Sequence, residues 1–125
     1  MKTDLLQRLE NEIHVWMCAT DSITDPVILT TYTSLLSADE RERLQRFHFE
    51  KDRHAFLVSH ALVRKVLSKY ANIEPAGWRF STGEQGRPEI VRSADIPLLR
   101  FNLTHTQGLA ACVVTRDIAC GIDAE

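Results

Sequence analysis

The 125 residues read as an α+β domain, with helices packed on a mostly antiparallel sheet. An early stretch alternates with period two, the middle from Ser37 to Tyr70 has the 3.6-residue period of helices, and from Trp78 onward short β-rich runs are separated by turns. Helices and strands are therefore segregated rather than interleaved, which argues against a parallel βαβ sheet. The length suits a single domain, 1–125, and a chain of this size buries roughly two-thirds of its unfolded surface without a disulfide or metal.

The elements follow in order. The first ten residues form a short polar helix with Leu5, Leu6 and Leu9 on one side. Glu12 to Cys18 alternates apolar Ile13, Val15 and Met17 with polar or aromatic neighbours, as a half-buried strand does. A loop holding Asp21, Asp25 and Pro26 comes next. Ser37 and Glu40 form a capping box, so a helix begins near Ala38 and runs toward Phe47. A longer helix, from about Glu50 to Tyr70, lines up Phe56, Val63, Val66, Leu67 and Tyr70 on one stripe. Asn72 and Pro75 end it. Trp78 to Ser81 and Pro88 to Val91 read as short strands around the turn Gly83 to Pro88. Leu99 to Leu103, Leu109 to Thr115 and Ile118 to Ile122 read as three more, joined by a THTQG turn and a tight Arg116–Asp117 turn. The run GLAACVVT is apolar on both sides, so this strand is expected to be covered on both faces. The chain closes at Glu125, shortly past an apolar strand, which predicts an exposed partner surface met by another copy or by further sequence.

Composition excludes several classes. At 44% apolar and 26% charged residues the chain is neither disordered nor fibrous, and it holds no apolar run long enough to span a bilayer. The charged opening MKTDLLQRLE lacks the apolar core of a signal peptide, and Cys18, Cys112 and Cys120 show no metal-ligand spacing, so a cytoplasmic setting is expected. A net charge of −2 gives no general reason to bind nucleic acid. Its distribution says more. Between Ser37 and Lys69 eight positive residues face five negative ones, a surplus of three, while the rest of the chain is acidic. This basic segment, led by Arg43 and Arg46, reads either as solvated helix faces laced with ion pairs or as an attractor for a phosphorylated ligand.

Four groups of residues could carry chemistry. In a strand, Asp123 and Glu125 of the GIDAE ending would point to one face, a pair of hard oxygen donors of the kind that holds Mg²⁺ beside substrate phosphates. Asn102, Thr104 and His105 of NLTH end an apolar strand at a turn, where a hydroxyl, an imidazole and backbone N–H groups could converge on an anion. Gly86 and Arg87, before Pro88, offer close backbone approach and a cationic fork. The basic helices are the fourth. His14, His48, His54 and His60 have no ligand spacing and read as structural.

Taken in succession, SADERERLQRF, EKDRHAFLVSHALVRKVL, RFSTGEQGRPEI, FNLTHT and CGIDAE resemble the N-terminal half of a 4′-phosphopantetheinyl transferase of the surfactin-synthetase-activating type, over roughly Glu12 to Glu125. The resemblance implies one lobe of that fold, with Asp123 and Glu125 as Mg²⁺ carboxylates and with Asn102, Thr104 and His105 at coenzyme A phosphates. It further implies that Thr82, Glu84, Gly86 and Arg87 border the adenine end and that Arg43 reaches the nucleotide phosphates, with Arg46 and Arg53 behind it. Three substitutions against the family pattern are mild: Thr104 for serine, Arg87 for lysine and Ala124 for a larger aliphatic. The family's second half, with its Trp-x-x-Lys-Glu-Ala helix, has no counterpart in these residues. The implied activity is transfer of the phosphopantetheine arm of coenzyme A to a serine of an acyl or peptidyl carrier protein. The alternative is a truncated lobe that binds coenzyme A or carrier protein without transfer. Either form is expected to self-associate or to meet a second lobe.

Overall fold

The computed structural model describes residues 2–83 and 86–117. Helices α1 (Lys2–Arg8), α2 (Pro26–Leu35), α3 (Ala38–Gln45) and α4 (Glu50–Leu67) accompany strands β1 (His14–Cys18), β2 (Phe80–Thr82), β3 (Pro88–Ile90), β4 (Leu99–Thr106) and β5 (Leu109–Arg116), with 3₁₀ turns at Thr20–Ser22 and Pro75–Gly77. A three-stranded antiparallel sheet has the order β1-β5-β4, and β2 and β3 form a separate antiparallel pair. The expected strand at 118–122 lies outside the described residues.

The long helix packs on one face of the sheet. Val63, Val66, Leu67 and Tyr70 meet Leu99, Phe101, Cys112 and Val114 in one buried cluster, closed at its edges by Leu9, Trp78 and Ile90. Residues opposite one another in a ladder share a face, so the pairings Trp16–Cys112–Leu103 and Val15–Val113–Asn102 define the inner and outer faces. Ala110 to Thr115 are all buried, as their apolar run predicts.

Two expectations change. The stretch before Ser37 is not all loop, because α2 fills much of it. Asp25 caps this helix, its Oδ1 accepting from the N–H of Val27 at 2.9 Å, and Pro26 takes the first position. Val27, Ile28 and three threonines disguise it, since β-branched residues resist helix. The Thr30, Thr31 and Thr33 hydroxyls donate back to carbonyls four residues earlier. Packing decides the outcome: Leu29 and Tyr32 join Leu36, Leu44, Phe56 and Leu57 in a second cluster. Strand β1 keeps its alternation but reverses the usual sides. His14 and Trp16 turn inward, where both hydrogen-bond the Tyr70 hydroxyl, at 2.6 and 2.9 Å, and Ile13, Val15 and Met17 face outward.

One buried ion pair ties the helices to the β2–β3 arm. Glu40 Oε1 accepts from Nε and Nη2 of Arg64, at 3.0 and 2.5 Å, and Oε2 meets His60 Nδ1 at 2.8 Å. Arg64 Nη1 also donates to the carbonyls of Pro75 and Trp78, and its guanidinium lies over the Phe80 ring. Burial raises the Glu40 pKa, but hydrogen bonds from His60, Ser37 N–H and Arg64 outweigh it and hold the carboxyl at about 2. The folded-state value lies below the ordinary 4.5, so the interaction stabilises fully above pH 4.5 and is lost as pH falls toward about 2. Glu40→Gln is expected to cost about 3 kcal/mol at neutral pH and to flatten the fall in stability over that acid window. Urea denaturation of both forms between pH 7 and 2 checks this; parallel stability curves would contradict it.

Candidate functional site

A cleft of about 230 Å³ opens where the start of α4, the β4–β5 turn and the 3₁₀ turn after β1 come together. Phe47, Lys51, Asp52 and Ala55 form one wall, Thr20 and Asp21 another, and His105 to Gly108 the third. The first turn of α4 faces this space. Its N-cap, Phe49, supplies no side-chain hydrogen bond, and the helix dipole accounts for the acidic Glu50 and Asp52 there. Lys51 and His105 are the cleft's cationic or protonatable groups, and Asp21 and Asp52 its carboxylates.

Local bonds hold the walls in place. The backbone N–H of Thr20 donates to Gly108 O at 3.1 Å, and Thr20 O meets His54 Nε2 at 2.8 Å, which gives His54 the structural role expected of it. Gly108 turns the chain with φ +81°, and a Cβ there would come within 3.1 Å of Asp21 Oδ2. The turn is only Gln107–Gly108, because β4 runs through Thr106. NLTH therefore lies inside a strand rather than at its end.

This changes how Asn102, Thr104 and His105 can act. Thr104 pairs opposite Ala111 and His105 opposite Ala110, so the two side chains take opposite faces of β4. They do not converge on one small anion. A long ligand passing over the edge of β4 can touch both. Asn102 shares the outer face with Thr104, and its Oδ1 accepts from Leu103 N–H at 2.8 Å.

The other expected residues that the structure describes lie on the surface, outside the lining of the cleft. Arg43, on α3, lies exposed with its guanidinium 5.1 Å from the Phe56 ring centre. Arg46 pairs with Glu42 at 2.6 Å and Arg53 with Glu50 at 2.9 Å, so part of the basic segment is the laced helix face that its spacing allowed. Thr82 is exposed at the end of β2, and Arg87 is exposed in the turn before β3. Gly86 has φ +74° and open space where a Cβ would stand. Glu84, Asp123 and Glu125 lie outside the described residues. Lys51, Asp21 and Asp52 were not singled out by sequence. Lys51 is one cation among eight in its segment, and only the fold shows which of them lines a cleft with His105.

A sequence model of the family described as "4′-phosphopantetheinyl transferase, N-terminal" matches residues 25–116. The chain belongs to this family. It is similar to 4′-phosphopantetheinyl transferase HetI of Nostoc sp. strain PCC 7120, at 35% identity over 121 residues, covering 96% of this chain and 50% of that protein. It is also similar to 4′-phosphopantetheinyl transferase Sfp of Bacillus subtilis, at 34% identity, covering 75% of this chain and 40% of that one. The chain thus spans about half the length of these relatives. Among solved structures, the holo-[acyl-carrier-protein] synthase of Helicobacter pylori, in complex with coenzyme A, matches 84% of this chain and 99% of its own with a TM-score of 0.59 at 14% identity. A holo-(acyl-carrier-protein) synthase from Bacillus anthracis gives 0.58 at 13% identity. These structures share the fold: helices on an antiparallel sheet, one lobe of the transferase architecture. Among the described residues no helix is long and apolar enough to cross a membrane.

The left-handed turn generates a prediction. Gly108→Ala is expected to cost about 1–2 kcal/mol, because an L-residue at that φ is strained and its Cβ crowds Asp21. Chemical denaturation measures it; an unchanged midpoint would show that the cleft wall does not depend on this turn.

Proposed function

We propose that this chain is an N-terminal transferase lobe, a single domain over 1–125, that binds coenzyme A and takes part in moving its phosphopantetheine arm to a carrier-protein serine in the cytoplasm. The observation that carries the reading is a cleft joining His105 to Lys51 at the start of α4 in a chain of this family. Coenzyme A is long and strongly anionic. His105 and Lys51 suit its phosphates from within the cleft, with charge-assisted hydrogen bonds. Asn102 and Thr104 meet the same ligand across the edge of β4, Arg43 adds a cation from α3, and Thr82, Glu84, Gly86 and Arg87 border its nucleotide end. In the transfer, the serine Oγ bonds to the pantetheine-side phosphorus as its proton leaves, the phosphoanhydride bond breaks, and 3′,5′-ADP departs.

Asp123 and Glu125 are oxygen donors of the class that suits Mg²⁺, and they are the residues that would hold it. Bound there, the ion would neutralise charge on the phosphate oxygens. The chain's own groups bind and orient: His105, Lys51 and Arg43 fix the phosphates, and Arg87 steadies the turn against the nucleotide.

The test combines this chain, Mg²⁺, coenzyme A and an apo acyl or peptidyl carrier protein, and reads the carrier's intact mass. A gain of one phosphopantetheine arm, abolished by Asp123→Ala, is expected. His105→Ala and Lys51→Ala should each weaken coenzyme A binding about tenfold or more by calorimetry. Coenzyme A binding without transfer would leave a binding lobe that needs a second half. No binding at all would overturn the reading.

A further inference from the structure

His54 is not among the residues that line the cleft, yet it ties together the two elements that carry Lys51 and His105. It follows Lys51 on α4 by three residues, so the two side chains share one side of the helix. Lys51 reaches the cleft, while the half-buried His54 bonds Thr20 O through Nε2 at 2.8 Å. A carbonyl oxygen only accepts, so Nε2 carries the proton whether the ring is neutral or charged. Thr20 is 1% exposed, and its other backbone group is also engaged, the N–H donating to Gly108 O at 3.1 Å. One buried residue thus has α4 on its carbonyl and the β4–β5 turn on its N–H. From Gly108 the two-residue turn and the ladder pairs Thr106–Leu109 and His105–Ala110 lead back to His105. Thr20 O also accepts from Ile23 N–H at 3.3 Å, a longer bond local to the 3₁₀ turn that reaches neither wall.

We propose that His54 is a positioning residue: acting through Thr20, it sets the separation of Lys51 and His105 and thereby the cleft's affinity for the phosphates of coenzyme A. The effect on affinity rests on the reading of the cleft as a coenzyme A site; the hold of His54 on the turn does not. Two groups on different elements grip one polyanion together only at a fixed separation, because hydrogen bonds weaken steeply when stretched or misaligned. The β4–β5 turn is the wall held by local bonds, so it is the one that moves when a bond is lost. Without the donor at position 54, Thr20 O would be left buried with its longer bond alone, and the 3₁₀ turn would relax toward water, drawing Gly108 with it. Leucine at this position keeps an apolar body and donates nothing. Glutamine keeps an amide N–H on a side chain of similar reach and can restore the bond.

The test compares wild type, His54→Leu and His54→Gln, with far-UV circular dichroism to confirm folding and His54→Met in place of His54→Leu should that variant not fold. In ¹⁵N-labelled chains without ligand, His54→Leu is expected to shift the amides of Thr20, His105 and Gly108. It should also speed hydrogen exchange at the Thr20 amide about tenfold, with His54→Gln close to wild type. In calorimetry with coenzyme A, His54→Leu should weaken binding about fivefold and His54→Gln should recover most of the loss. In a His105→Ala background the same His54→Leu change should cost less than about twofold, as a residue acting through His105 requires. Unchanged Thr20 exchange in His54→Leu would overturn the proposal whether or not coenzyme A binds. An equal loss of affinity in both backgrounds, or no recovery with glutamine, would overturn it too and leave His54 a purely structural residue. A wild-type chain that binds no coenzyme A, with Thr20 exchange still faster in His54→Leu, would overturn the functional reading and the affinity effect with it, while the hold on the turn would stand.

Discussion

The ion pair between Glu40 and Arg64 is the constraint through which most of the molecule is positioned. A carboxylate and a guanidinium buried together are tolerated only when nearly all their hydrogen-bonding capacity is met. Here it is met by groups from separate segments: Ser37 and His60 on the acid, and the carbonyls of Pro75 and Trp78 on the base. α3, α4, the second 3₁₀ turn and the start of the β2–β3 arm therefore cannot shift independently. α3 carries Arg43, α4 carries Lys51, and the arm leads on from Phe80 to Gly86 and Arg87. The ion pair lies away from the cleft, yet it fixes where three of the motif-bearing segments stand relative to one another.

The opposite wall of the cleft is set by weaker means. A backbone bond from Thr20 to Gly108, the bond between His54 and Thr20, and one left-handed glycine hold the β4–β5 turn against the chain leaving β1. One wall is rigid by buried charge and the other by local geometry. That division fits the proposed binding of a long, flexible ligand, because few buried contacts have to break for the second wall to give way.

Much of the fold was legible in the sequence where local signals and tertiary demand agree. The Ser37–Glu40 box announces α3, and both of its reciprocal hydrogen bonds form. The α4 stripe announces the main cluster, and the unbroken apolar run of β5 announces a central strand. α2 was hidden because its propensity and its environment disagree: threonine, valine and isoleucine favour a strand, and burial of Leu29 and Tyr32 overrides them. The inward turn of β1 was hidden for a related reason. Hydropathy marks Val15 and Met17 as core, but the buried Tyr70 hydroxyl needs partners, and His14 and Trp16 supply them. The candidate site stands in the sequence as motifs and not as geometry. Residue order places Thr104 and His105 side by side, and only the strand pleat shows that they diverge. Which lysine shares the cleft with the histidine depends on where α4 begins in space.

The central claim is that coenzyme A enters the cleft between α4 and the β4–β5 turn. A titration of ¹⁵N-labelled chain with coenzyme A, followed by amide chemical shifts, addresses it most directly. The predicted result is saturable shifts at Thr20, Lys51, Asp52, His105 and Gly108, with the amides of α2 unmoved. Shifts confined to the β2–β3 arm, or no saturable shift at His105 and Lys51, would contradict it.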